Sequence, residues 1–240
     1  MIVKKFFILT LCSLVWFSVS GEIYRPEFKL FPPPARCISS CKQPCGETLL
    51  MLADKMEDFN VVPTEKAAVL GYCDRDNLYV KVECIDHDII SEVKSAAVAR
   101  PGNAADTVQI LLKSDKDPGI WEFNVTANNI VNGFFHYSSG AVIPASSPKL
   151  TGAKAEVTCF GTLNKMDDRD AAWRTVITIP RTIFQNRNLK FIPEEKWTIL
   201  VRRYNYGVYL KAREISSFPQ LTIFNLYESE RFARIVFPGK

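Results

Sequence analysis

The feature that most constrains the fold is a period of two in the apolar side chains, repeated along most of the chain. Residues 78–84 (LYVKVEC) show this pattern, because apolar side chains at every second position alternate with Tyr79, Lys81 and Glu83. Such alternation is typical of a strand with one buried face. Turn-forming residues separate this strand from an apolar run at residues 67–73. Further strands are predicted at residues 108–112, 121–126, 130–137, 155–159, 172–179, 197–204, 221–224 and 232–237.

About ten closely spaced strands with little helix predict an all-β fold, an antiparallel β-sandwich of jelly-roll or immunoglobulin-like type. Helical potential is limited to residues 47–56, 90–98 and 181–186. No period of about 20–50 residues recurs, which argues against a propeller. Trp121, Trp173 and Trp197 have apolar neighbours on the same strand face, so we expect them in the core.

Residues 1–21 have the pattern of a secretory signal peptide, with Lys4 and Lys5, an apolar run at residues 6–17 and small residues up to Gly21. The run is shorter than the ~20 residues that a membrane-spanning helix needs. We therefore expect cleavage and a secreted, periplasmic or cell-surface protein. The alternative is an uncleaved anchor, in which case this segment alone contacts the membrane.

The charge balance gives no sign of a nucleic-acid partner. The chain has 30 Lys and Arg against 26 Asp and Glu, a formal charge of +4, and loss of Lys4 and Lys5 with the signal halves this excess. No basic run or RNA-binding motif occurs. Nucleic acid is therefore not an expected partner.

Cysteine usage fits export. Cys12 lies in the signal, and the even number that remains favours disulfides in a secreted chain, although sequence cannot choose the pairing. The candidates are Cys37, Cys41, Cys45, Cys73, Cys84 and Cys159, with free thiols as the alternative. Residues 22–46 also contain three consecutive prolines, so we predict an extended Cys- and Pro-rich arm, followed by one β-sandwich domain at 47–240.

Catalytic signatures are missing from the sequence. The two histidines, His87 and His136, are far apart, and no G-x-S-x-G, H-E-x-x-H or phosphate-loop motif occurs. The acidic pair Asp86 and Asp88 flanks His87 and could ligate a cation, but a solvated turn is the favoured interpretation. We expect a protein that is not an enzyme, with a small exported lyase or hydrolase as a less favoured hypothesis.

Six segments along the chain carry short strand motifs in a fixed order: residues 76–82 (DNLYVKV), 106–110 (DTVQI), 121–125 (WEFNV), 173–180 (WRTVITIP), 197–203 (WTILVRR) and 232–235 (FARI). They resemble strand motifs of the family 9 carbohydrate-binding modules, a DOMON-like β-sandwich family, among them D-x-V-E-I, W-x-x-E-x-x-I-P and W-x-x-N-x-x-R. The resemblance extends over about residues 49–237. The resemblance implies a secreted sandwich that binds sugar, in some members with structural calcium, and no other cofactor.

The sequence departs from that family at several positions. Val176, Leu200 and Ala233 replace the family's Glu, Asn and Gly. Two tryptophans that clamp the sugar ring in known members are not retained, because their positions fall near Asn103 and Tyr227. The resemblance therefore supports the fold more strongly than it supports sugar binding.

A substitute for the clamp needs an aromatic face for the ring and planar polar groups for the hydroxyls. Residues 203–209 offer both types in a predicted loop. The candidate ligand-binding residues are Asn103, Asn124, Arg203, Tyr204, Tyr206, Phe218 and Tyr227, with core or edge packing as the alternative for each ring.

The first functional hypothesis is a secreted, non-catalytic carbohydrate-binding module that supports glycan breakdown. Its expected partners are a polysaccharide or oligosaccharide and an extracellular glycoside hydrolase. The alternative is a structural or protein-interaction sandwich that has lost sugar binding, which the missing clamp and the Cys-rich arm favour.

Overall fold

The structure, a computed structural model, describes residues 25–34, 46–53, 56–95, 104–138, 142–144, 152–223 and 228–239. Regular structure in these residues is nearly all β, which confirms the predicted all-β class. The strands are β1 (Glu27–Phe31), β2 (Glu47–Thr48), β3 (Leu50–Met51), β4 (Ala67–Cys73), β5 (Asn77–Ile85), β6 (Thr107–Ser114), β7 (Ile120–Thr126), β8 (Val131–His136), β9 (Val142–Pro144), β10 (Lys154–Phe160), β11 (Ala172–Pro180), β12 (Trp197–Asn205), β13 (Glu214–Phe218) and β14 (Ala233–Val236). Short helical segments are α1 (Thr182–Gln185) and 3-10 turns at Met56–Asp58 and Ser229–Arg231.

The strands form one mixed sheet with two halves. The first half has the order β10-β11-β5-β4, and the second has the order β14-β12-β6-β7-β8-β9. β1 joins the halves, because its first three residues pair with β14 and its last two pair with β4, in parallel in both cases. The sheet is nearly barrel-shaped, so the jelly-roll or immunoglobulin-like type is not confirmed, and the prediction of a wholly antiparallel sheet is wrong at β1.

The predicted alternation holds where the two halves face each other. Leu78, Val80 and Val82 of β5 belong to the same buried cluster as Trp121, from β7 in the other half. The three tryptophans expected in the core are fully buried, and the Trp121 and Trp197 rings lie 5.8 Å apart between centroids. Apolar burial between the halves is therefore the main favourable term that holds the sheet in this shape.

A second, smaller apolar cluster covers part of the outer face of the second half. Its members are Leu111, Ile120, Leu200, Leu221 and Phe232. Both faces of β6, β7 and β12 are consequently buried, although their sequences alternate like strands with one solvated face. The polar residues on these strands are therefore removed from water as well.

Local predictions met different outcomes. A helix at 47–56 is wrong, since β2 and β3 form there, and the described part of 90–98 is not helical. The helix predicted at 181–186 is confirmed in shorter form as α1. The strand at 221–224 is reduced to a bridge between Thr222 and Ala53 in the part that is described.

The sequence predicted no strand in the arm at 22–46, yet β1 lies there. Phe28 and Leu30 alternate with exposed residues and are buried in the main core, and this burial stabilises β1 in its position between the two halves of the sheet. The signal segment 1–21 and residues 35–45 lie outside the described residues.

The disulfide prediction is not borne out for the cysteines that the structure describes. Cys73, Cys84 and Cys159 are free thiols. Cys84 has no exposed surface, and burial raises the pKa of its thiol to about 12, so it behaves as a small apolar core residue. Cys37, Cys41 and Cys45 lie outside the described residues, and their pairing stays a prediction.

No helix among the described residues has both the length and the apolar composition required to cross a membrane.

Candidate functional site

A group of polar side chains, which we call the polar floor, lies on the outer face of the second half of the sheet. Its members are Gln109 of β6, Glu122 and Asn124 of β7, Asn132 and His136 of β8, and Arg202 of β12. Strand register places Arg202, Gln109, Asn124 and Asn132 side by side in one row across four strands. They share the outer face because their sequence neighbours Val108, Phe123 and Val201 point into the main core.

Glu122 organises the floor through its two carboxylate oxygens. Its Oε1 accepts hydrogen bonds from Gln109 Nε2 and Asn124 Nδ2, each at 2.7 Å, and its Oε2 lies 2.5 Å from His136 Nε2. Asn124 Nδ2 also donates to Asn132 Oδ1 at 2.9 Å. These bonds fix the orientation of both amide groups, since their N–H donors are directed at Glu122.

The carboxylate of Glu122 is ionised despite its burial. Burial raises its pKa, but the hydrogen bonds from His136 and Asn124, the charge of His136 and the bond from Gln109 together bring the pKa below its ordinary value. Glu122 therefore carries a negative charge at neutral pH, held by donors from three directions.

Two acceptors on the floor have no partner among the described residues. The side-chain oxygens of Gln109 and Asn124 are buried without a hydrogen bond. Buried polar atoms in native proteins nearly always have a partner, which is supplied by water or a ligand when the protein does not supply it. The floor thus presents two oriented acceptors next to an organised carboxylate.

Aromatic and partly exposed groups border the floor. Tyr204 lies one register step from Arg202 on the same face, and the Arg202 guanidinium carbon is 5.8 Å from the Tyr204 ring centroid. Phe134 lies opposite Glu122 on β8. From β12 to β8 the floor spans three strand spacings, or about 14 Å. Asn132 and His136 are only partly buried, so the floor reaches the surface at β8.

A second polar group occupies the core side of one end of the sheet. Arg203 has no exposed surface, and its guanidinium donates to Asp86 Oδ2 at 2.9 Å, to Asn205 Oδ1 at 2.7 Å and to the Glu65 carbonyl at 2.8 Å. Asn205 Nδ2 donates in turn to Glu65 Oε2 at 2.8 Å. We call Arg203, Asp86, Glu65 and Asn205 the arginine network.

Two carboxyl groups near Arg203, those of Asp86 and Asp106, are hard to ionise. Burial raises the pKa of Asp86 to about 6, although the charge of Arg203 opposes this shift. Burial and the charge of Asp86 together raise the pKa of Asp106 well above its ordinary value. The arginine network is therefore a buried charge cluster, and its net charge changes in the mildly acidic pH range, where Asp86 titrates.

The interpretation of residues 86–88 as a solvated turn is wrong. Asp86 and Asp88 are buried, and their carboxylates hold loops: Asp86 accepts from Trp173 Nε1 at 3.1 Å, and Asp88 accepts from the Val208 backbone at 2.9 Å. Nδ1 of His87 lies 2.7 Å from Glu65 Oε1. Among the described residues, no group of three or more His, Cys, Asp or Glu side chains is arranged to hold a metal ion.

The predicted ligand residues do not all come together. Asn124 is part of the polar floor and Tyr204 borders it, whereas Arg203 lies in the arginine network on the opposite face of β12. Tyr206 is half-buried, with Arg213 over its ring at 5.9 Å, and Phe218 packs beside Phe28 at 6.0 Å. Asn103 and Tyr227 lie outside the described residues.

The sequence reasoning missed most of the floor. Gln109, Glu122, Asn132, His136 and Arg202 were not candidates, although the alternation marks each as the polar partner of a core residue. The signal that could have found them is a set of uncharged amides around one Glu and one His on neighbouring strands. Single-strand periodicity does not show this set, because it appears only once the register is known.

No protein-family model matches the sequence, and no curated protein matches it. Among solved structures, a "putative carbohydrate-binding protein" from Bacteroides uniformis matches with a TM-score of 0.53 and 11% identity, over 80% of this chain and 87% of that chain. The fold is shared. This likeness confirms, at the level of the fold, the resemblance that the sequence motifs indicated.

Two structures of a family 9 carbohydrate-binding module from Caldicellulosiruptor kristjanssonii also match. The complex with glucose has a TM-score of 0.48 and 12% identity, over 89% of this chain and 96% of that chain. The complex with cellotriose has a TM-score of 0.46 and 13% identity, over 90% of this chain and 95% of that chain.

Proposed function

We propose that this chain is a non-catalytic carbohydrate-binding domain and that the polar floor contacts the sugar. The observation that carries the proposal is the pair of buried, unpartnered acceptors on Gln109 and Asn124, oriented by Glu122. A fold shared with a protein described as carbohydrate-binding is consistent with it.

Sugar hydroxyls each donate and accept hydrogen bonds, so a sugar site needs acceptors and donors held in fixed planes. The floor supplies amide oxygens as acceptors and the guanidinium of Arg202 as a planar donor. Tyr204 and Phe134 supply aromatic surface for the apolar C–H side of a ring. Ligand entry is from β8, where Asn132 and His136 reach the surface.

The rest of the functional hypothesis follows from the sequence. We propose export through the segment at 1–21 and a role beside an extracellular glycoside hydrolase, in which the domain holds a polysaccharide or oligosaccharide. No catalytic residue is assigned in this proposal.

Calorimetry with neutral oligosaccharides of the β-glucan, xylan and mannan classes tests the proposal. Binding of at least one class is expected, and Asn124→Ala should weaken it by about tenfold or more, because a hydrogen bond to a buried group is lost. Glu122→Gln should weaken it as well, since the amides lose their ionised acceptor.

The matched control is Glu156→Gln, the same change on the exposed face of β10 in the other half of the sheet, and it should leave binding unchanged. Failure to bind any of these glycans would refute the proposal and favour the protein-interaction alternative. Equal weakening by the Glu122 and Glu156 changes would exclude the floor as the site.

A further inference from the structure

A cleft of about 460 Å³ opens at the end of the sheet where the β4–β5 turn meets the connection from β11 to β12. Its volume lies within the range of ligand pockets in proteins. Arg75 comes from the turn, and Arg181, Gln185, Asn188, Leu189 and Lys190 come from the connection. None of these residues belongs to the polar floor.

Arg181 is held in place at the wall of the cleft. Its Nη1 donates to the Asp74 carbonyl at 2.6 Å, its Nη2 donates to the Phe191 carbonyl, and its own backbone N–H bonds to the Asp76 carbonyl at 2.8 Å. A guanidinium has five N–H donors, so three remain after these two side-chain bonds. The bonds to carbonyls fix the group without neutralising its charge.

The acids closest in sequence leave the cleft positive. The Asp74 carboxylate accepts from the backbone N–H groups of Asp76 and Asn77 and from the Tyr79 hydroxyl. Burial raises its pKa, but these bonds and the charge of Arg181 bring the pKa below its ordinary value, so Asp74 is ionised. With Asp76 it gives two negative charges against the three positive charges of the cleft's basic residues. Among the described residues, neither Arg75 nor Lys190 forms an ion pair, and both are exposed.

The remaining lining suits a sugar. The side chains of Gln185 and Asn188 offer amide donors and acceptors, and Leu189 contributes apolar surface. Three cations next to two amides and an apolar wall match a ring that carries hydroxyls and one carboxylate.

We propose that this cleft is a second ligand site, which binds the carboxylate of an acidic saccharide, a uronic acid residue. The inference rests on the proposed carbohydrate-binding function for the sugar part of the ligand only. The charged part rests on Arg75, Arg181 and Lys190.

The test is calorimetry of the full chain with a uronic acid oligosaccharide, a neutral oligosaccharide of equal length and inorganic phosphate. The informative variant is Arg75→Gln/Lys190→Gln, because both side chains are exposed and unpaired and their loss should not disturb folding. The matched control is Arg169→Gln/Lys211→Gln, the same two changes on exposed residues at the opposite end of the sheet.

The uronic acid oligosaccharide should bind about tenfold more weakly to the cleft variant, should bind the control variant as it binds the wild type, and should bind more weakly in high salt. No uronate binding by the wild type, or equal binding by the cleft variant, would overturn the proposal. Phosphate that binds as tightly as the uronate would overturn the saccharide assignment.

The two proposals fail separately. The effect of Asn124→Ala on the binding of neutral glycans tests only the proposal for the polar floor. The effect of the cleft variant on the binding of uronate tests only the proposal for the cleft. A wild type that binds uronate but no neutral glycan would refute the proposed function of the floor and support the cleft.

Discussion

Replacement of Arg203 by Met tests the arginine network most directly. The Met side chain keeps much of the volume but removes the charge and three hydrogen bonds, to Asp86, Asn205 and the Glu65 carbonyl. The buried carboxylates of Asp86 and Glu65 then lose their cation. Breaking a buried ion pair from one side costs about 3–5 kcal/mol, and we expect the free energy of unfolding at pH 7 to fall by that amount.

The pH dependence of this loss follows from Asp86. Its pKa is about 6 in the folded chain against 3.8 as the ordinary value, so the folded state binds more protons between these two pH values. The contribution of Asp86 to the free energy of unfolding is therefore most favourable below pH 3.8. This contribution falls by about 3 kcal/mol in total as pH rises through about 6. Without Arg203 the pKa of Asp86 rises further, so the deficit of Arg203→Met should be larger at pH 7.5 than at pH 5.

Urea unfolding at both pH values, followed by tryptophan fluorescence, measures these changes. Arg203→Met/Asp86→Asn should recover part of the lost stability at pH 7.5, because the uncompensated carboxylate is gone. The control Arg174→Met removes an arginine paired with the half-exposed Glu83, at 2.8 Å, and should cost at most about 1 kcal/mol. A deficit for Arg203→Met that is small, or that does not change with pH, would refute this account of the network.

Three further predictions concern other parts of the fold. Gly71→Ala places a Cβ 2.5 Å from the Phe28 ring of β1 and should destabilise the chain by about 1–3 kcal/mol in urea unfolding, whereas Gly239→Ala, with nothing within 4 Å, should not. Because the folded pKa of Glu122 is below its ordinary value of 4.5, its stabilising effect is lost as pH falls through that folded pKa, so the stability difference between wild type and Glu122→Gln should shrink as the pH is lowered below 4.5. The Cys84 thiol should resist alkylation at about pH 8 until urea unfolds the chain, and rapid labelling of the folded protein would contradict its burial.

The central strands were predictable because their alternation is long and regular. β4 forms over residues 67–73 as predicted, and β5 extends the predicted strand by one residue at each end. The helix predicted at 47–56 failed because short strands there obtain their stability from partners distant in sequence: β2 pairs with β4, and β3 pairs with β13. Local propensity carries no information about such partners.

The polar floor was harder to predict, and the reason is physical. Alternation marks Glu122 and Asn124 as residues that face away from the core, and the simplest inference is that they face water. The structure buries them, because Leu111 and Leu200 belong to a second apolar cluster on the same face. When a strand face carries both apolar and polar residues, the sequence of that strand alone predicts a solvated face. Its burial is determined by the neighbouring strands and becomes evident only in the assembled sheet.

Arg202 and Arg203 connect the two polar groups through the geometry of one strand. As successive residues of β12 they point to opposite faces, one into the polar floor and the other into the arginine network. A shift of β12 by one residue would exchange them and put each arginine on the wrong face, so the ion pair with Asp86 favours the register that sets the floor. The buried network therefore helps to hold the floor in place, although it does not contact it.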